Sequence, residues 1–103
     1  NYRGFDAPVG LFFTVPKAAG WQGLLAYGAL LQSVMVAARL EGLHTCPQAA
    51  WNTFAHVVLP RLRADAGDVL VCGMSLGHAD PSEIVNTYVT PRVPAAEFTR
   101  WLA

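Results

Sequence analysis

Two short stretches hold the residue types from which chemistry could be built. One is Gly73-Met74-Ser75-Leu76-Gly77, which matches G-x-S-x-G and follows a hydrophobic run. That is the pattern of a nucleophile elbow, with a serine raised on a sharp strand-to-helix turn. An elbow needs a helix directly after the serine, and Gly77-His78-Ala79-Asp80-Pro81 does not begin one. It also needs an acid and then a histidine further along; Asp80 and Glu83 follow, but the last histidine is His78. The expected role is therefore a strand that ends on small residues. The other stretch is Leu43-His44-Thr45-Cys46-Pro47-Gln48-Ala49-Ala50-Trp51, which has no carboxylate, lysine or arginine. Pro47 disfavours helical geometry at Cys46, so the centre of this loop is expected to be extended. Its useful groups are backbone N–H donors and a flat apolar edge. Those suit a planar heteroaromatic ligand better than a proton transfer.

Other reactive residue types are scattered. His44, Cys46, His56, Cys72, His78 and Asp80 are all capable of ligating metal, but they show no recognised ligand spacing and no CxxC pair. Arg92, in Val89-Thr90-Pro91-Arg92-Val93, precedes a short predicted helix. An arginine there can bind phosphate or stay in water, and the residue alone favours water. Tyr2, Phe12, Phe13, Trp51 and Trp101 have no basic residues interleaved with them, so core or interface is expected rather than a platform for stacked bases.

The elements that must position these residues read as follows. Ala7 to Val15 is a near-continuous apolar run rich in aromatic and β-branched residues, expected to be a strand buried on both faces. Trp21 to Leu40 fits helical spacing through Leu24, Tyr27, Leu31, Val34 and Ala38, with Gly42 placed to end it. Trp51 to Arg63 is a second predicted helix, with Pro60 an awkward member. Val69 to Leu76 is a second buried strand, residues 78–92 are loop, and Pro94 to Leu102 is a short terminal helix.

The Trp21–Leu40 helix is apolar nearly all round, which means burial on most faces or lipid. No charged residue lies between Lys17 and Arg39. Against a membrane span stand Gln22, Gln32, Ser33 and the glycines within it. Gly28, Ala29, Ser33, Ala37 and Ala38 instead permit close helix–helix approach, so a subunit interface is expected and no membrane.

Composition sharpens that expectation. The chain has 103 residues, 53% hydrophobic and only 14% charged. Ordinary soluble domains are about a quarter charged, and a short chain should be more polar than average. The apolar excess must face a partner subunit, a further part of the same domain, a cofactor or a membrane. Lys+Arg and Asp+Glu are balanced at seven each, so no basic stripe exists to meet nucleic acid. Cys46 and Cys72 make no disulfide framework, and free thiols in a reducing, cytoplasmic compartment are expected. No signal peptide is visible, and the chain begins at Asn1, close to a predicted core strand, as a segment of a longer domain would.

At this level the residues resemble a known family, the FMN-dependent nitroreductases. Ala7 to Val15 is similar to a central strand of that family. Gly28 to Arg39 is similar to its long helix, typically G-x-x-x-Q-N-L-x-L-A-A. Gly42 to Ala49 resembles its G-L-x-T-C-P-Q-A loop, and Val71 to Pro81 its next strand and turn. Asn86 to Arg92, with Glu97-Phe98, resembles its N-x-x-R-T-E-R-x-x-x-x-E-F end. The resemblance covers nearly the whole chain in family order.

It implies an α+β nitroreductase-like fold: a mixed sheet flanked by helices, with a long central interface helix. It further implies that residues 1–103 form a single domain lacking its N-terminal half. The partners implied are a second copy, giving a homodimer through the 21–40 helix, or a separate chain supplying that half. FMN is implied as cofactor and NAD(P)H as hydride donor, with nitroaromatics, quinones or similar acceptors reduced in ping-pong fashion. Pro47, Gln48, Ala49 and Ala50 carry over as the loop beside the flavin ring, and Arg92 as the contact to the FMN phosphate. No catalytic side chain and no metal ligand is implied. Val89 stands where the family pattern often has arginine, and Pro91 where it has glutamate. Those departures leave an alternative: a non-catalytic interaction or scaffold subunit that keeps the fold without the cofactor.

Overall fold

The computed structural model describes residues 2–102. Its centre is β3, Asp68–Gly77, flanked by β1, Val9–Pro16, and β2, His44–Gln48, in the order β1-β3-β2. Both pairings are antiparallel, so the sheet expected to be mixed is antiparallel throughout among the described residues. β1 lies against β3 from Val9 opposite Leu76 to Pro16 opposite Asp68, with a bulge between Phe13 and Thr14.

The helix α1, Gly20–Leu40, follows β1 as anticipated, and it leads into β2. Gly42 follows it with φ of 75°, a left-handed conformation that suits glycine. Tyr27 of α1 meets Phe13 edge to face, centroids 6.4 Å apart, which seats the helix on one face of the sheet. The opposite face carries Phe12, Gly73 and Gln48 in register, covered by Trp51.

Three expectations change here. The Leu43–Trp51 stretch is not loop alone, because His44–Gln48 pairs along β3 as β2. Pro47 is tolerated there because, among the described residues, β2 has only one neighbour strand, and an edge position can do without one ladder donor. The predicted Trp51–Arg63 helix is a 3-10 turn over Ala49–Phe54 and then α2, Ala55–Leu62. They part at Phe54, whose φ of −107° and ψ of 18° leave the helical region. Pro60 remains inside α2, and the helix closes at Arg63 in a left-handed C-cap whose N–H reaches Leu59 and Pro60 carbonyls. The predicted Pro94–Leu102 helix shrinks to α3, Ala95–Phe98. A single turn without a packing surface has little to sustain it.

Burial is also thinner than the apolar runs foretell. The core is Val15, Val58, Leu70, Cys72 and Met74, with Met74 only 1% exposed. β3 supplies most of it, whereas β1, at the edge, buries only Val15. α1 buries no residue at all. By length and composition alone, Lys17–Leu40 would be long and apolar enough to cross a membrane, a test that core helices also pass. Every residue from Asp80 to Leu102 is exposed, forming an arm that carries Ile84, Tyr88, Phe98 and Trp101 into solvent. The radius of gyration is 16.5 Å, against about 13 Å for a compact domain of 100 residues.

Candidate functional site

Pro47, Gln48, Ala49 and Ala50 lie where β2 gives way to the 3-10 turn. The junction is abrupt: Gln48 is extended, with φ of −133° and ψ of 100°, and Ala49 begins the turn. Three contacts hold it to β3. Asn52 Nδ2 donates to the Val71 carbonyl at 3.0 Å. Ser75 Oγ donates to Gln48 Oε1 at 3.1 Å. The Trp51 indole lies flat over Gly73, where a built Cβ would stand 2.5 Å from Trp51 Cδ1. Gly73 is thus small by necessity. Phe12 and Tyr2 meet the same indole edge-on at centroid distances of 5.2 and 5.5 Å.

The result is a rigid, uncharged corner. Ala49 and Ala50 are exposed and small, so the backbone at the corner is approachable by a flat group. Cys46 is exposed three residues before Ala49, and Cys72 is buried. Removal from solvent pushes the Cys72 thiol pKa up, which leaves it protonated and inert at neutral pH. No group of three or more His, Cys, Asp or Glu side chains is gathered for a metal among the described residues.

Four of the five expected residues are therefore brought together, by sequence adjacency and a shared corner. Arg92 stands apart on the exposed arm, where its guanidinium donates to the Thr90 and Pro91 carbonyls at 3.2 and 3.1 Å. Ser75, weighed above as a nucleophile, lies inside β3 with no helix after it. Its hydroxyl is spent on Gln48 rather than on a histidine, and a serine so placed cannot attack a carbonyl.

Sequence reasoning missed Asn52 as a tether; an asparagine near a helix start reads equally well as a surface residue. It also missed His44, whose Nδ1 accepts from the Ala79 N–H at 3.2 Å and whose Nε2 lies 2.6 Å from Arg39 Nη1. That contact ties the start of β2 to the root of the arm. A separation of thirty-five positions leaves no local signal for it.

Comparison with known proteins places the chain. A model of the Nitroreductase family matches residues 1–78. Over 102 residues the chain is 43% identical to chloronitrobenzene nitroreductase of Comamonas testosteroni, covering 99% of this chain and 45% of that protein. It is 41% identical to 4-nitrobenzoate reductase of Pseudomonas putida over the same lengths. The chain thus spans about half the length of the curated relatives it matches. Among solved structures, the FMN and NADPH-dependent nitroreductase NfnB from Sphigopyxis sp. strain HMH superposes with a TM-score of 0.94 at 37% identity, over 100% of this chain and 46% of that one. FMN-dependent NfnB from Mycobacterium smegmatis, solved in complex with NADPH, gives 0.92 at 29% identity, over 98% and 45%. The fold is the α+β nitroreductase fold, and this chain belongs to the nitroreductase family.

Proposed function

We infer that this chain contributes one side of a flavin site in a nitroreductase-type oxidoreductase. The carrying observation is the pinned corner at Pro47–Ala50, in a chain whose relatives are named nitroreductases. FMN fits the residues present. The corner offers approachable backbone beside two small side chains and no carboxylate to repel an electron-rich ring. FMN bound there would supply two-electron chemistry, taking hydride from NAD(P)H and passing it to a nitroaromatic, quinone or similar acceptor in a ping-pong cycle.

The work of the chain itself is binding and orientation. Backbone N–H groups at Ala49 and Ala50 would donate to the heteroatom edge of the ring and favour negative charge there. Asn52 and Trp51 keep those donors fixed, which spares the cost of ordering them at each turnover. Arg92 would turn from its own carbonyls to the FMN phosphate, a stronger, charge-assisted partner. Residues 1–103 would then form a single domain completed by further sequence, as a homodimer through the 21–40 helix or with a separate chain. The outward-facing α1 supports such an interface. A cytoplasmic location accords with the exposed free Cys46.

The test is a titration of FMN into the purified chain, alone and with the N-terminal part of a full-length family member supplied. A flavin absorption band that co-purifies with the assembly, and is weakened by Arg92→Ala, is the expected result. An unbound flavin under both conditions refutes the reading. A second reading, a scaffold subunit without cofactor, is favoured by one observation: Arg92 is already engaged with its own backbone. A colourless assembly that still forms a complex would establish it.

A further inference from the structure

We propose that Ser75 is a positioning residue for the flavin-edge corner, acting through the carboxamide of Gln48; this rests on the function inferred above. The G-x-S-x-G serine is left without a role once hydrolysis is set aside, yet it is only 6% exposed. A buried hydroxyl is costly unless it is hydrogen-bonded. Ser75 sits in the middle strand, opposite Gly10 on one side and Cys46 on the other. Gln48 is two residues further along β2, so the two side chains are diagonal neighbours on one face. The Ser75 hydroxyl donates to Gln48 Oε1 at 3.1 Å.

That contact has a directional consequence. A carboxamide is planar, so engaging Oε1 on the sheet sets Nε2 on the opposite edge. The last extended residue of β2 is thereby held by its side chain as well as by its ladder position. Ala49 and Ala50, the proposed donors, follow at once. The space around the hydroxyl is tight: a Cβ built on Gly4 would stand 3.1 Å from Ser75 Oγ. Gly4 also holds φ of 63°, so glycine is required there twice over. Ser75, buried in β3, acts through Gln48. It fixes the residue that precedes the donors.

A double-mutant cycle with Ser75→Ala and Gln48→Met tests this, read in two ways. FMN dissociation constants come from quenching of flavin fluorescence in the assembly described above. Side-chain amide resonances of Gln48 come from 15N-labelled chain, with and without FMN. Each single variant is expected to weaken FMN by about fivefold, the effect of one neutral hydrogen bond, and the double variant by no more than either. Ser75→Ala is expected to shift the Gln48 amide pair even without flavin. Additive losses, or Gln48 resonances indifferent to Ser75→Ala, overturn the proposal while leaving a flavin site intact. If the wild-type assembly binds no FMN, the inferred function falls, and the role of Ser75 toward flavin falls with it.

Discussion

Gly73→Ala probes the corner most directly, because the structure fixes what the added methyl meets. Its carbon would stand 2.5 Å from Trp51 Cδ1, 2.9 Å from Nε1 and 3.1 Å from Cγ. Contacts below about 3.4 Å lie on the repulsive wall, since carbon atoms pack best at roughly 3.5–4.0 Å. Gly73 lies in the central strand between Phe12 and Gln48, so the backbone has no room to retreat. The indole must move. Moving it loosens its edge contacts to Phe12 and Tyr2, each worth about 0.5–1.5 kcal/mol. Overpacking of this kind costs about 1–3 kcal/mol. Replacing glycine returns about 0.4–1 kcal/mol through the unfolded chain, because this glycine does not hold a positive φ. The balance is a loss of about 1–2 kcal/mol. Urea denaturation followed by tryptophan fluorescence measures it, with Trp51→Leu as the second arm of a cycle. In the Trp51→Leu background, Gly73→Ala should cost almost nothing, because the obstructing ring is gone. Equal costs in both backgrounds would refute the account of Gly73 as the seat of the indole.

Three further outcomes are expected. Iodoacetamide at neutral pH should modify exposed Cys46 well before Cys72, whose thiol pKa is raised by burial; peptide mass spectrometry reads the order, and Cys72 should gain reactivity only as pH rises. The Asp80 carboxyl is held below the usual range by the Ser82 hydroxyl and N–H, at 2.6 and 2.8 Å. A depressed pKa means that this turn is fully supported above the unfolded carboxylate pKa and released as pH falls through the folded one; the Ser82 amide shift should follow that acid titration and vanish in Asp80→Asn. Leu25→Glu, at a site 72% exposed on α1, should leave the helical signal of the chain unchanged and abolish self-association in sedimentation velocity. An unchanged oligomer would remove α1 as the interface.

The elements that sequence makes visible are those whose causes are local. β1, α1 and β3 are found within two residues of their predicted limits, because proline and glycine punctuate apolar runs of the right length. β2 was hidden because Thr45-Cys46-Pro47-Gln48 has no apolar alternation. Its strand geometry is imposed from outside, by five register positions on β3. The 3-10 turn was hidden for a similar reason. Its residues fit a helical stripe, but Trp51 is drawn onto Gly73, a partner twenty-two positions away, and the helix cannot start until Ala55. The Pro47–Ala50 corner was singled out by family resemblance. Its supports, Asn52, Trp51 and Ser75, act across strands and leave no mark at short range.

The same distinction explains the apolar excess. The described chain leaves Trp21, Leu24, Leu25, Leu30, Val36 and Leu40 exposed on α1 alone. Fully burying such a side chain contributes about 1.5–3 kcal/mol, and these six are already partly covered, so burying the remainder would supply about 6–11 kcal/mol. A domain of this size is stable by only about 5–15 kcal/mol in total. The surface that α1 offers to a partner is therefore comparable with the whole stability of the fold. Association on this face, where it occurs, would be coupled to folding of the chain. It follows that the Pro47–Ala50 corner is shaped from two directions. Asn52, Trp51 and Ser75 set its local form from within the chain, and whatever covers α1 sets how long that form persists.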